Sequence, residues 1–158
     1  MRPNWADLAT LGGFAEQYAH PDPSTAAAKL RIFAEQAVLF IYHKHGLPKP
    51  MQNNLNDLLV NASFEQAVPR VIASKLHALR IHGNRAAHGE AVLTPAALWM
   101  LQEAFELGSW MHLNYGGGAR ADLPMFAPPG ASDDTEAERK LKRERTAILV
   151  GSPPRMPR

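Results

Sequence analysis

Apolar residues recur at steps of three and four along most of the first 118 residues of the chain. Trp5, Leu8 and Leu11, with Ala15 and Tyr18, form the first stripe and predict a helix up to about His20. Pro21-Asp22-Pro23-Ser24 breaks it, and Asp22 or Ser24 offers a side-chain oxygen to cap the next helix. Leu30, Phe33, Ala37, Val38 and Ile41 line one face of that second helix. Phe40 and Tyr42 widen the face, so the helix is expected to be central and buried. Gly46 ends it, with Pro48 and Pro50 as further stops.

Leu55, Leu58 and Leu59 predict a short third helix from about Gln52 to Val60. A fourth runs from about Pro69 to His88 with Val71, Ile72, Leu76, Leu79 and Ile81 as its apolar positions. Thr94-Pro95 reads as a cap with a first-turn proline, opening a fifth that carries Leu98, Leu101, Phe105, Gly108 and Met111 and ends at Gly116-Gly117-Gly118. Alternation of strand length and internal repeats are both absent from the pattern. The expectation is an all-α bundle of four to five helices over residues 1–118, followed by a flexible C-terminal tail over 119–158.

That tail opens as a Pro/Gly-rich linker from Leu123-Pro124 to Pro129-Gly130. A charged run, Glu138 to Arg145, reads as a short exposed helix, and Ser152 to Arg158 carries no folding signal. Charge divides the same way. Residues 1–118 hold nine Lys/Arg and nine Asp/Glu, whereas 119–158 hold eight against six, so the net +2 belongs to the tail. A basic pI near 9.1 therefore says little about phosphate binding by the folded part. A hydrophobic content of 46% is that of a globular domain, and no apolar run approaches the ~18 residues of a membrane span. Met1 to Asp7 carries no signal-peptide pattern, and the absence of cysteine excludes disulfides, thiolate metal sites and a cysteine nucleophile. A cytoplasmic protein is expected.

Polar chemistry concentrates in Leu79-Arg80-Ile81-His82-Gly83-Asn84-Arg85-Ala86-Ala87-His88-Gly89. Arg80, Asn84 and His88 lie four residues apart and drift only ~40° per step, so they share one helix face. Two readings stand. The face clips neighbouring helices together through bonded polar groups, or it performs acid–base work on RNA, with His88 accepting a proton and Arg80 holding a phosphate. Gly83 weakens the helix and calls for a packing need or a bend.

Other patterns carry less. His77, His82 and His88 are spaced by five and six and point apart, so no metal site and no cofactor is expected. Arg70, Lys75, Arg80 and Arg85 recur every five residues, turning ~140° each time, and so spread around the helix. Glu103 and Glu106 on the next helix are the natural partners for one or two of them. Gly12-Gly13 and the Gly116 triplet lack the context of a phosphate loop and read as helix punctuation. Trp99, Phe105 and Trp110 read as core or oligomer contacts.

From Ala27 to Glu90 the chain resembles the N-terminal helical domain of unknown function of type I restriction enzyme R subunits. The stretches that carry the resemblance are Lys29 to Gln36, Tyr42 to Pro48, Asn54 to Leu59 and Leu79 to His88. That domain is similar in turn to the HEPN superfamily, which includes ribonuclease toxins and helical partner-binding modules. The resemblance implies a HEPN-like bundle in a restriction-type helicase and nuclease system, with DNA cleavage and ATP-driven translocation in other parts. HEPN ribonucleases use an Arg followed a short step later by a His. Here seven residues separate Arg80 from His88 and two separate Arg85 from it, so the catalytic spacing is not met. The expectation is a non-catalytic interaction module aiding subunit assembly or nucleic-acid engagement, with Arg80, Asn84, Arg85 and His88 as its contact residues. Its partners would be other restriction subunits, with DNA or RNA contact and a homodimer as further expectations and no membrane. The alternative is a metal-independent ribonuclease acting as a dimer, for which Arg80, Asn84 and His88 are the catalytic candidates.

Overall fold

The computed structural model describes residues 5–117, 123 and 125–130. Among these the protein is all-α, with helices α1 (Trp5–Tyr18), α2 (Pro23–His45), α3 (Leu55–Val60), α4 (Ala62–Ala67), α5 (Arg70–Ala87) and α6 (Thr94–Tyr115). Local chemistry explains three of the boundaries. Asp22 caps α2 by accepting the Thr25 N–H at 3.1 Å and the Thr25 hydroxyl, with Pro23 in the first turn. At the other end Gly46 turns left-handed (φ 62°), its N–H reaching His43 O and the Leu47 N–H reaching Tyr42 O at 2.9 Å. Asn54 caps α3 through the Asp57 N–H at 2.9 Å.

Among the described residues the count is six helices rather than four or five, because α4 gives no periodic signal of its own. It is six residues long with one deep anchor, Phe64, whose ring stacks on Tyr42 at 5.4 Å and 9°. A second correction concerns α6. Its cap is Leu93, Thr94 lies inside the first turn, and no side chain bonds the helix end. Upstream, the Val92 N–H is taken by the Ser24 hydroxyl at 3.0 Å, which fastens the α5–α6 connection to the start of α2.

α2 is the central element, packing against α1, α3, α5 and α6. Its stripe from Leu30 to Ile41 is buried as the pattern predicts, and Tyr42 is buried with it. Leu55, Leu58 and Leu59 of α3 and Ile72, Leu76 and Leu79 of α5 close the core from the other side. Each such aliphatic side chain contributes about 1.5–3 kcal/mol by leaving water. Val71 and Ile81 are exposed instead of buried, since they fall off the face that α5 turns to α2. On α6 the buried positions are Ala97, Met100, Leu101, Ala104, Leu107 and Met111, one step around from most of the expected stripe.

Residues 125–130 lie back on the bundle. Phe126 packs on Phe105 with ring centroids 5.3 Å apart, and His20 Nε2 donates to the Pro129 carbonyl at 2.6 Å. The expected helix over 138–145 and the unstructured end over 152–158 lie outside the described residues. Among those described, no helix is long and apolar enough to cross a membrane.

Candidate functional site

The polar cluster of α5 sits along its seam with α2, and Gly83 is what brings the two helices together. A β-carbon there would stand 2.3 Å from Arg31 Cβ and 3.1 Å from the Ala27 carbonyl oxygen. A packing need, not a bend, accounts for this glycine. The close approach lets Arg31 reach across, and its Nε donates to Asn84 Oδ1 at 2.5 Å. Its Nη1 faces Glu35 Oε2 one turn on, at 3.6 Å.

The three residues predicted to share a face go to different partners. Asn84 is engaged by Arg31. Arg80 turns back along its own helix, its Nη2 donating to His77 Nδ1 at 3.5 Å, while its Nε is buried without a hydrogen-bond partner. His88 caps the C-terminus of α5, its backbone N–H bonded to Asn84 O at 3.0 Å and its side chain exposed. No hydrogen bond joins the Arg80, Asn84 and His88 side chains to one another among the described residues. Arg85 is exposed, with its Nε 4.0 Å from Glu90 Oε2.

The remaining titratable groups of α5 are divided between its two flanks. Burial pushes the His77 imidazole below its ordinary value, and the Arg80 charge adds to this against an opposing pull from Glu65. Lys75 bonds Glu103 at 2.9 Å and also Glu106, as the positions of those carboxylates on the next helix suggested. Burial alone would lower the Lys75 ammonium, but Glu106 and Glu103 together outweigh it and hold it above the usual lysine value. His82 meets the edge of Trp99 at 5.2 Å. Among the described residues no group of three or more His, Cys, Asp or Glu side chains is placed to hold a metal ion.

Arg31 is the site residue that the polar spacing on α5 did not reveal. The available signal was the Gly83-Asn84 pair, since a helix-interior glycine marks close approach and the adjacent amide then needs a partner. Which residue supplies it depends on the α2–α5 register, which is tertiary.

Fold and seam together define an all-α bundle whose densest polar chemistry lies on an interhelical joint. Residues 14–107 match DUF4145, a domain of unknown function, and the chain belongs to that family. The matched region runs from within α1 to within α6 and contains the whole α2–α5 seam. Neither the curated proteins nor the solved structures contain a match to the chain.

Proposed function

We propose that this chain is a non-catalytic helical interaction module of a type I restriction R subunit or a related helicase, serving subunit assembly or nucleic-acid engagement. The observation that supports it best is the Arg31–Asn84 bond. It commits the amide of the polar face to holding α2 against α5, leaving no assembled proton-transfer pair on that face. The resemblance over Ala27 to Glu90 supplies the restriction system as the setting. The outward sides of α5 and α6 expose Val71, Ile81 and Trp99, with Leu93 beside them, which suits contact with another protein surface. Arg85 and His88 stand exposed at the adjoining end of α5.

The test is co-elution. The purified chain is mixed in turn with the modification, specificity and motor subunits of its own restriction system, and with duplex DNA, and each mixture is sized by light scattering. A stable complex with one of them that Trp99→Ala or Arg85→Glu weakens is the expected result. A monomer that ignores every subunit and the DNA overturns the proposal.

A second reading is a ribonuclease formed by two protomers. The observation in its favour is the exposed His88 side chain at the C-terminus of α5, accessible to a second copy of the chain. It predicts RNA cleavage that His88→Ala abolishes with the helical circular dichroism intact. Cleavage that survives the substitution rules it out.

A further inference from the structure

We propose that the cavity between α1 and α6 is a binding site for an uncharged, largely apolar small molecule. The cavity measures about 820 Å³ and is bounded by α1, α6, Phe33 of α2 and the segment carrying Met125 and Phe126. That size lies within the range of small-molecule clefts, ~300–1,000 Å³.

Three glycines border the space, and nothing among the described residues requires them. Gly12 and Gly13 lie in the interior of α1 and Gly108 in the interior of α6, where glycine weakens a helix relative to alanine. None of the three has a positive φ. A β-carbon on Gly12 or Gly13 would meet nothing within 4 Å, and one on Gly108 would meet only Phe33 Cζ at an ordinary 3.9 Å. Gly83 shows the contrast, because there a β-carbon collides with Arg31. Glycines without a steric or conformational reason, all lining one cavity, are explained by the volume they leave open.

The lining also states the chemistry of the occupant. The Phe33, Phe105 and Phe126 rings give it apolar walls, and Ser109 and His112 offer hydrogen-bonding groups that orient a ligand. Among the described residues no Lys or Arg lines it, while Glu16 does. A carboxylate or phosphate there would meet the like charge of Glu16. Neutral molecules are therefore preferred over anionic ones.

The experiment titrates the full chain with Nile red, an uncharged dye, and in parallel with the anionic dye anilinonaphthalene sulfonate. Saturable one-to-one binding of Nile red is expected, at least about tenfold tighter than the anionic dye, a difference of about 1.4 kcal/mol. The double substitution Gly12→Ala/Gly13→Ala is expected to raise Tm by about 4–8 °C through helix propensity. The same pair weakens Nile red binding, and Gly108→Leu, which projects a larger side chain into the cavity, weakens it further with helicity retained. Stability and binding thus move in opposite directions. Non-saturable uptake, tighter binding of the anionic dye, or unchanged affinity in the alanine pair overturns the proposal. So does a fall in Tm for the alanine pair, since the glycines would then have a packing role. If Gly108→Leu does not fold, the alanine pair decides alone.

Discussion

Gly83 and Arg31 meet so closely that a β-carbon on the first would stand 2.3 Å from the β-carbon of the second. The obstructing atom is fixed to the backbone of α2, so a helix must shift to admit any side chain. Gly83→Ala gains about 1 kcal/mol of helix propensity but incurs an overpacking cost of about 1–3 kcal/mol. A net loss of up to about 2 kcal/mol is expected in urea unfolding. A stabilised variant would mean that the seam yields freely.

The bond from Arg31 to Asn84 is worth a modest amount, because the guanidinium keeps some solvent access and a second carboxylate partner. A double-mutant cycle with Arg31→Ala and Asn84→Ala should return a coupling of about 1 kcal/mol. Zero coupling would remove the seam's polar clip.

Tyr42 presents a sharper case. Its hydroxyl donates to the Leu58 carbonyl at 2.5 Å and accepts from Asn61 Nδ2 at 3.2 Å, inside the core. Burial pushes its pKa up, only partly countered by the Asn61 bond. Tyr42→Phe keeps the ring on Phe64 but leaves the Leu58 carbonyl without that donor, so a loss of about 1–3 kcal/mol is expected by chemical denaturation. An unchanged midpoint would show that α3 is not held through this hydroxyl.

His77 couples folding to pH. Its pKa is lowered in the folded protein by burial and then by Arg80, so the unfolded chain binds the proton more readily. Its contribution to stability is complete above the ordinary value of 6.5 and is lost as pH falls through the depressed folded value. Tm should therefore decline from about pH 7 to about pH 5, and His77→Gln should flatten that decline. A parallel decline in both proteins would place the pH sensitivity elsewhere.

The sequence was legible where one face is apolar and the ends carry caps. α2 shows both, from Asp22 through its Leu30 to Ile41 stripe to Gly46, and the structure matches it almost residue for residue. It was least legible on α6, where apolar residues surround the helix. The stripe through Leu101, Phe105, Gly108 and Met111 lines the cavity together with Ala104, while Met100 and Leu107 add a packed side away from it. Periodicity finds a face and cannot say whether it meets atoms or space. The polar cluster was located correctly on α5. Its division among His77, Arg31 and solvent was beyond reach, because helical spacing gives a direction and not a neighbour.

The position of α2 gives the bundle the plan of a wheel around an axle. In a stack of repeats each element rests on the next, and an end can peel away. Here four other helices rest on residues 23–45, so removing that one segment strips the support from nearly all the rest. Dissection into autonomous halves has no natural line to follow. Rearrangements that leave α2 whole, such as moving the chain ends into the 88–93 connection, disturb the architecture far less than any cut through its axle.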